Sequence, residues 1–280
     1  ISVPLANGDR WQPRNFDRKT RGSVTLQNAL AHSLNIPTVH LGMQLGVPRI
    51  VKTLKALGIT RKIPAYPSVL LGAVSLSPLE VTQMYQTLAA GGFHAPLRAI
   101  RAVLDTQHRP LQRYPLHIEA RVSLEANQLL TQALQQAVQQ GTGRGLQRWL
   151  RPALALAGKT GTTDDYRDSW FSGFDKNILI TSWIGKDNNQ PVNLSGASGA
   201  MQLFIGYQQQ QEPKSLVRRF PSGLAISHFD KATWRLSKAG CKDTYSVPAI
   251  TDALPSVPNK CFGESRVPEK PKSWWKKIFG

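Results

Sequence analysis

The apolar residues of this 280-residue chain change their spacing close to Gly141, and that change limits the folds open to it. From Glu125 to Gln140, Leu129, Leu130, Ala133, Leu134, Ala137 and Val138 fall on one face of a predicted helix that Gly141 ends. Beyond it Ala153 to Thr163, Ser169 to Phe174 and Ile178 to Ile184 read as strands, the last two joined through Asp175-Lys176-Asn177. Gly196 to Tyr207 reads as a closing helix. Upstream, Gly22 to about Gly46 has helical spacing with a broken middle, where Asn35-Ile36-Pro37 marks a bend and Thr38 to Leu45 starts a second helix. Val51 to Leu57 is a short amphipathic helix stopped by Gly58, and Pro78 opens another that ends at Gly91-Gly92. Leu97 to Gln112 alternates around an Asp105 to Pro110 turn and reads as a β-hairpin. Helices first and an antiparallel run of strands after them predict an α+β domain with helices packed on a sheet.

After Gln208 the composition shifts to a Gln run and scattered prolines from Pro213 to Pro271, which predicts a mostly irregular extension with a hairpin around Ala225 to Leu236. The expected divisions are 1–207, 208–265 and a basic aromatic tail, 266–280, suited to a membrane surface or a partner or simply frayed. Cys241 and Cys261 lie 20 positions apart in this region. In an oxidising compartment a bridge there is worth about 3 kcal/mol; the alternative is two unrelated thiols. The net charge of +18 favours an anionic surface or substrate. Neither zinc-finger spacing nor an RNA-binding signature accompanies it, so nucleic acid is not an expected partner. The six histidines show no metal-ligand spacing, and neither a metal nor a cofactor is expected. The chain lacks a run of about 18 apolar residues. It begins at Ile1 rather than Met, which leads to the expectation that an upstream portion has been removed.

Two short motifs carry chemistry. Lys159-Thr160-Gly161-Thr162-Thr163 closes the apolar alternation from Leu154 to Gly158, offering one cation and hydroxyl donors along an edge strand. Gly161 between them lets a substrate backbone lie against that strand. Ser33-Leu34-Asn35 places a hydroxyl and an amide one residue apart at a helix end, where they can pass a proton and hold a substrate amide. Each motif alone is common; their order is what matters, because a Ser-x-Asn element followed by Lys-Thr-Gly belongs to penicillin-recognising enzymes.

On these residues the chain resembles the transpeptidase domain of class A penicillin-binding proteins, most closely the Gram-negative 1b type. The likeness extends through Leu70-Leu71-Gly72-Ala73, Gln140-Gly141-Thr142-Gly143, Trp170-Phe171-Ser172-Gly173, Trp183-Ile184-Gly185 and Gly196 to Met201. Ser273 to Gly280 also looks like the end of a 1b-type chain. The resemblance implies the penicillin-recognising serine transpeptidase, β-lactamase-like fold, with 1–207 as a transpeptidase domain whose N-terminal part is missing. It implies acyl transfer between D-Ala-D-Ala stem peptides of peptidoglycan, blocked by β-lactams. Ser33 is then a proton relay to the leaving amine and Asn35 a holder of the substrate carbonyl. Lys159 tunes the relay and attracts the terminal carboxylate. Thr160 lies in the substrate-binding strand, Thr162 serves the carboxylate and oxyanion hole, and Thr163 flanks them. Implied partners are the stem peptides, a lipid-linked precursor, other cell-wall synthesis proteins and the membrane that anchors the full-length protein, on the periplasmic side of the inner membrane. A glycosyltransferase domain is implied upstream.

One departure bears on activity. The family's Ser-x-x-Lys precedes Ser-x-Asn, yet here the only such tetrad is Ser273-Trp274-Trp275-Lys276, in the tail. The chain alone is therefore expected to be inactive. A class A β-lactamase is disfavoured, because no Glu has Asn four positions later as a deacylating Glu-x-x-x-Asn requires. The alternative for the chain as it stands is a non-catalytic module that binds peptidoglycan or β-lactam, or scaffolds a synthase. Asp164, Asp165 and Asp168 could pair with Lys159 or with Arg167, but they read best as a solvated loop.

Overall fold

A computed structural model describes residues 1–5, 8–150, 154–217, 220–255 and 261. The chain divides into two units, Ile1–Ser123 with Leu130–Val217, and Leu124–Leu129 with Arg218–Gly280.

The first unit opens with β1 (Val3–Pro4) paired to β2 (Arg10–Trp11), then α1 (Leu26–Ala31), α2 (Asn35–Leu45) and α3 (Val47–Ala56). Thr25 caps α1, its hydroxyl accepting the Asn28 N–H at 3.1 Å. The chain turns at Ser33, not at Pro37. The Ser33 N–H donates to Leu30 O (3.1 Å) and the Leu34 N–H to Ala29 O (2.8 Å), a Schellman closure. Pro37 lies within the first turn of α2, where its missing N–H removes a donor that had no intrahelical partner. The helix expected from Thr38 thus begins at Asn35, and the one expected from Val51 begins at Val47, with Pro48 in its first turn. In α4 (Pro78–Ala89), Ser77 and Glu80 form a reciprocal capping box that holds the first turn. Short pairs follow: β3 (Phe93–His94) with a later partner, then the predicted hairpin, β4 (Ala102–Leu104) with β5 (Pro110–Arg113), then β6 (Glu119–Ala120), which pairs with β3. The long helix α5 (Leu124–Gln139) comes next.

The central sheet is β7 (Ala157–Thr162), β8 (Ser169–Phe174) and β9 (Leu179–Ile184), antiparallel, with β7 at an edge. Strand alternation divides its side chains between two cores. Ala157 and Phe174 pack with Leu57, Leu88 and Leu134. Phe171 on the opposite face packs with Phe204 and Met201 of α6 (Ala200–Gln209), the Phe171 and Phe204 rings 4.9 Å apart. Residues 196–199, expected to begin that helix, form a turn instead. There Ser195 and Ser198 exchange hydrogen bonds through backbone and hydroxyl groups, the competition with helix that serine favours.

The second unit holds β10 (Leu224–Asp230) between β11 (Leu236–Ser237) and β12 (Thr244–Ile250). The predicted hairpin is present as β10 and β11. The irregular stretch expected after it instead contains β12, which pairs with β10 over seven residues. Cys241 and Cys261 are joined by a disulfide. The tail, 266–280, and its Ser-x-x-Lys tetrad lie outside the described residues.

Candidate active site

Ser33 takes the position after the end of α1 that glycine usually fills, and it does so with φ 51°. A left-handed conformation costs a side-chain-bearing residue about 1 kcal/mol, so a serine here needs a reason. Its hydroxyl supplies one: the Lys159 amine donates a hydrogen bond to Ser33 Oγ, and a second to the carbonyl of Thr160 at 3.0 Å. Lys159 projects from the same face of β7 as buried Ala157. Burial in this setting pushes its amine down from 10.5 to about 8, by desolvation of the charged form. None of the ion pairs among the described residues includes Lys159, so Asp164, Asp165 and Asp168 leave it alone. An amine that titrates near neutrality beside a hydroxyl can both give and take that hydroxyl's proton.

Asn35 stands at the first turn of α2, two residues from Ser33, and its Nδ2 donates to Arg14 O at 2.8 Å. Neighbouring Asn15 caps the same helix from afar, accepting the Ile36 N–H at 3.1 Å. The Arg14-Asn15 segment thus fixes the amide's orientation, and an amide nitrogen carries a second N–H besides the one used. Along β7, Gly161 faces Trp170, whose Cβ would stand 3.0 Å from a methyl placed there. Thr162 is exposed, and its hydroxyl oxygen accepts the Gly196 N–H at 2.9 Å, which leaves its own proton to donate. Thr163 departs from the rest: its hydroxyl donates to Asp168 Oδ2 (3.0 Å) and accepts the Asp168 N–H (2.8 Å), so it closes the turn between β7 and β8.

Ser33 and Lys159 are therefore in direct contact, with Asn35 beside the first and Thr160, Gly161 and Thr162 in line with the second. Two contributors were not singled out by sequence reasoning. Thr142 meets Thr160, hydroxyl to hydroxyl, at 2.6 Å. Asp168, read as part of a solvated loop, also accepts the indole N–H of Trp183 at 2.9 Å and so ties the β7–β8 turn to β9. The Asp165–Arg167 pair, 3.3 Å apart, is the loop's exposed ion pair. Thr142 had only its place in Gln140-Gly141-Thr142-Gly143 to mark it. Among the described residues no group of His, Cys, Asp and Glu could hold a metal ion.

A serine hydroxyl on a helix end faces a lysine on an edge strand, the strand in turn backed by a helix on its far face, within a fold of the penicillin-recognising serine enzyme class. The chain belongs to the penicillin-binding protein transpeptidase domain family, which matches residues 4–202. Penicillin-binding protein 1B of Vibrio cholerae is 43% identical over 280 residues, covering 100% of this chain and 35% of that protein. Its Escherichia coli counterpart is 43% identical over 219 residues, 77% of this chain and 26% of that one. The crystal structure of penicillin-binding protein 1A from Haemophilus influenzae superimposes with a TM-score of 0.81 at 23% identity, covering 91% of this chain and 44% of that one. The chain thus spans between about a quarter and about a third of the length of these curated relatives.

Proposed function

We propose that this chain supplies the carboxylate-recognising and proton-relaying part of a peptidoglycan D,D-transpeptidase, within a bifunctional synthase that also carries a glycosyltransferase. The observation in its support is the contact between the Lys159 amine and the Ser33 hydroxyl. In this reading a nucleophilic serine outside the 280 residues bonds to the D-Ala-D-Ala carbonyl carbon and loses its proton to a neighbouring lysine. The carbon–nitrogen bond breaks, and Ser33 delivers a proton to the departing amine while Lys159 restores its own. An amine of a second stem peptide then bonds to the ester carbon and passes its proton through Ser33 to Lys159, while the carbon–oxygen bond breaks and the serine leaves with the proton held by the neighbouring lysine. Thr162 and Lys159 receive the terminal carboxylate, Asn35 the amide carbonyl, and the free edge of β7 the peptide backbone. Donors aimed at the developing oxyanion are worth about 3 kcal/mol each in the barrier. The lipid-linked precursor, β-lactams, other synthesis proteins and a periplasmic, membrane-anchored setting belong to the same proposal.

These residues alone are inactive in this reading, because the only Ser-x-x-Lys tetrad follows the site in sequence instead of preceding it. Fluorescent penicillin tests the point directly. No fluorescence is expected to stay on the chain through denaturing electrophoresis; a covalently labelled band would place the nucleophile within it and overturn this part of the proposal.

A further inference from the structure

Ser33 and Lys159 lie 126 residues apart, on elements that must be brought into register before their side chains can meet. The loop after α5 touches both elements. The Thr142 N–H donates to the carbonyl of Ala31, the last residue of α1, at 3.1 Å. The Thr142 hydroxyl lies 2.6 Å from that of Thr160, the residue next to Lys159. The loop is itself anchored on α5, through Gly141 N–H to Gln136 O (3.1 Å) and Gly143 N–H to Ala137 O (2.9 Å). It comes so close to α1 that a Cβ on Gly141 would stand 2.0 Å from Ala31 O, a backbone atom that cannot move aside. Among the described residues β7 pairs with β8 alone, so the Thr142–Thr160 contact ties the strand from a direction the ladder does not.

We propose that Thr142 is a positioning residue: it clamps the end of α1 to β7 and so sets the separation of the Ser33 hydroxyl and the Lys159 amine. This rests on the transpeptidase reading for its use in catalysis, but the clamp itself is a property of the fold. Thr142 touches no reacting atom; it acts through Thr160 and Ala31. Loss of its hydroxyl lets the edge strand swing away, water reaches Lys159, and the amine regains the solvation that burial removed.

The test titrates Lys159 in this chain by NMR with carbon-13 at the lysine ε position, the signal being assigned by its loss in Lys159→Arg. The wild-type midpoint is expected near about 8. Thr142→Val keeps the shape and removes the hydroxyl; its midpoint is expected to rise by about one unit, roughly tenfold in proton affinity, and Thr142→Ser is expected to restore it. Thr160→Val removes the other half of the contact and must give the same rise, with no further rise in the double variant. An unchanged midpoint in Thr142→Val, no rescue by serine, or additive shifts in the double variant would each overturn the proposal. No acylation is involved, so this result is independent of penicillin labelling, and a failure of the transpeptidase reading is told apart from a failure of the clamp.

Discussion

Both three-stranded sheets of this chain are antiparallel, yet they are held by different means. The sheet β7–β8–β9 is buried on two faces, and its central strand carries Phe171 and Phe174, each 1% exposed. The sheet β11–β10–β12 encloses Leu224, Leu236 and Cys241, while the other residues it buries are polar: Ser227, Asp230, Thr233 and Ser237. It compensates locally. Asp230 accepts the N–H and the hydroxyl of Thr233, both at 2.7 Å, which holds its carboxyl below the usual range, and the Cys241–Cys261 bridge closes the sheet's loop covalently. The first sheet has apolar burial to spare and can carry a buried amine at its edge, whereas the second has little.

Three perturbations test that contrast. The largest effect is expected from Phe171→Ala, which empties the packing between β8 and α6 and costs about 4 kcal/mol; chemical denaturation measures it, and a loss under about 1 kcal/mol would mean the two-sided core is not what holds this sheet. Next, Cys241→Ser with Cys261→Ser releases a loop of 20 residues and is expected to cost the second unit about 3 kcal/mol. Hydrogen exchange locates the loss: amides of β10 and β12 should open while those of β7–β9 keep their protection, and uniform opening would refute the separation of roles. The smallest effect concerns Lys159→Met. Because burial lowers the amine from 10.5 to about 8, the unfolded chain binds a proton in that window that the folded chain does not, so wild-type stability rises with pH between the two values. The shift corresponds to about 3 kcal/mol, and losing the bonds to Ser33 and Thr160 gives back about 1, so the methionine variant should be about 2 kcal/mol more stable at neutral pH. Its advantage should vanish at alkaline pH; a constant gap would show that Lys159 pays no such cost.

What could be read from sequence followed the same division. β8 was legible at both ends because the run from Ser169 to Phe174 lies between clear turns, and α5 because its apolar stripe is uninterrupted. Pro37 is the visible breaker before α2, whereas a serine standing in for a C-terminal glycine leaves no mark in a sequence; only hydrogen bonding reveals Ser33 as the stop. β12 was hidden by its Ser246 and Pro248, which suit an edge strand paired on one side. The partnership of Ser33 with Lys159 was inferable from the order of two motifs and from nothing nearby in either. Thr142 gave no local signal, because a threonine between two glycines looks like any turn.

The distance along the chain between Ser33 and Lys159 also governs when the lysine becomes special. Before α1 and β7 have docked, that side chain is an ordinary solvated cation with an ordinary affinity for protons. Its altered chemistry arrives only with that docking, so a chain in which α1 and β7 stand apart cannot display it.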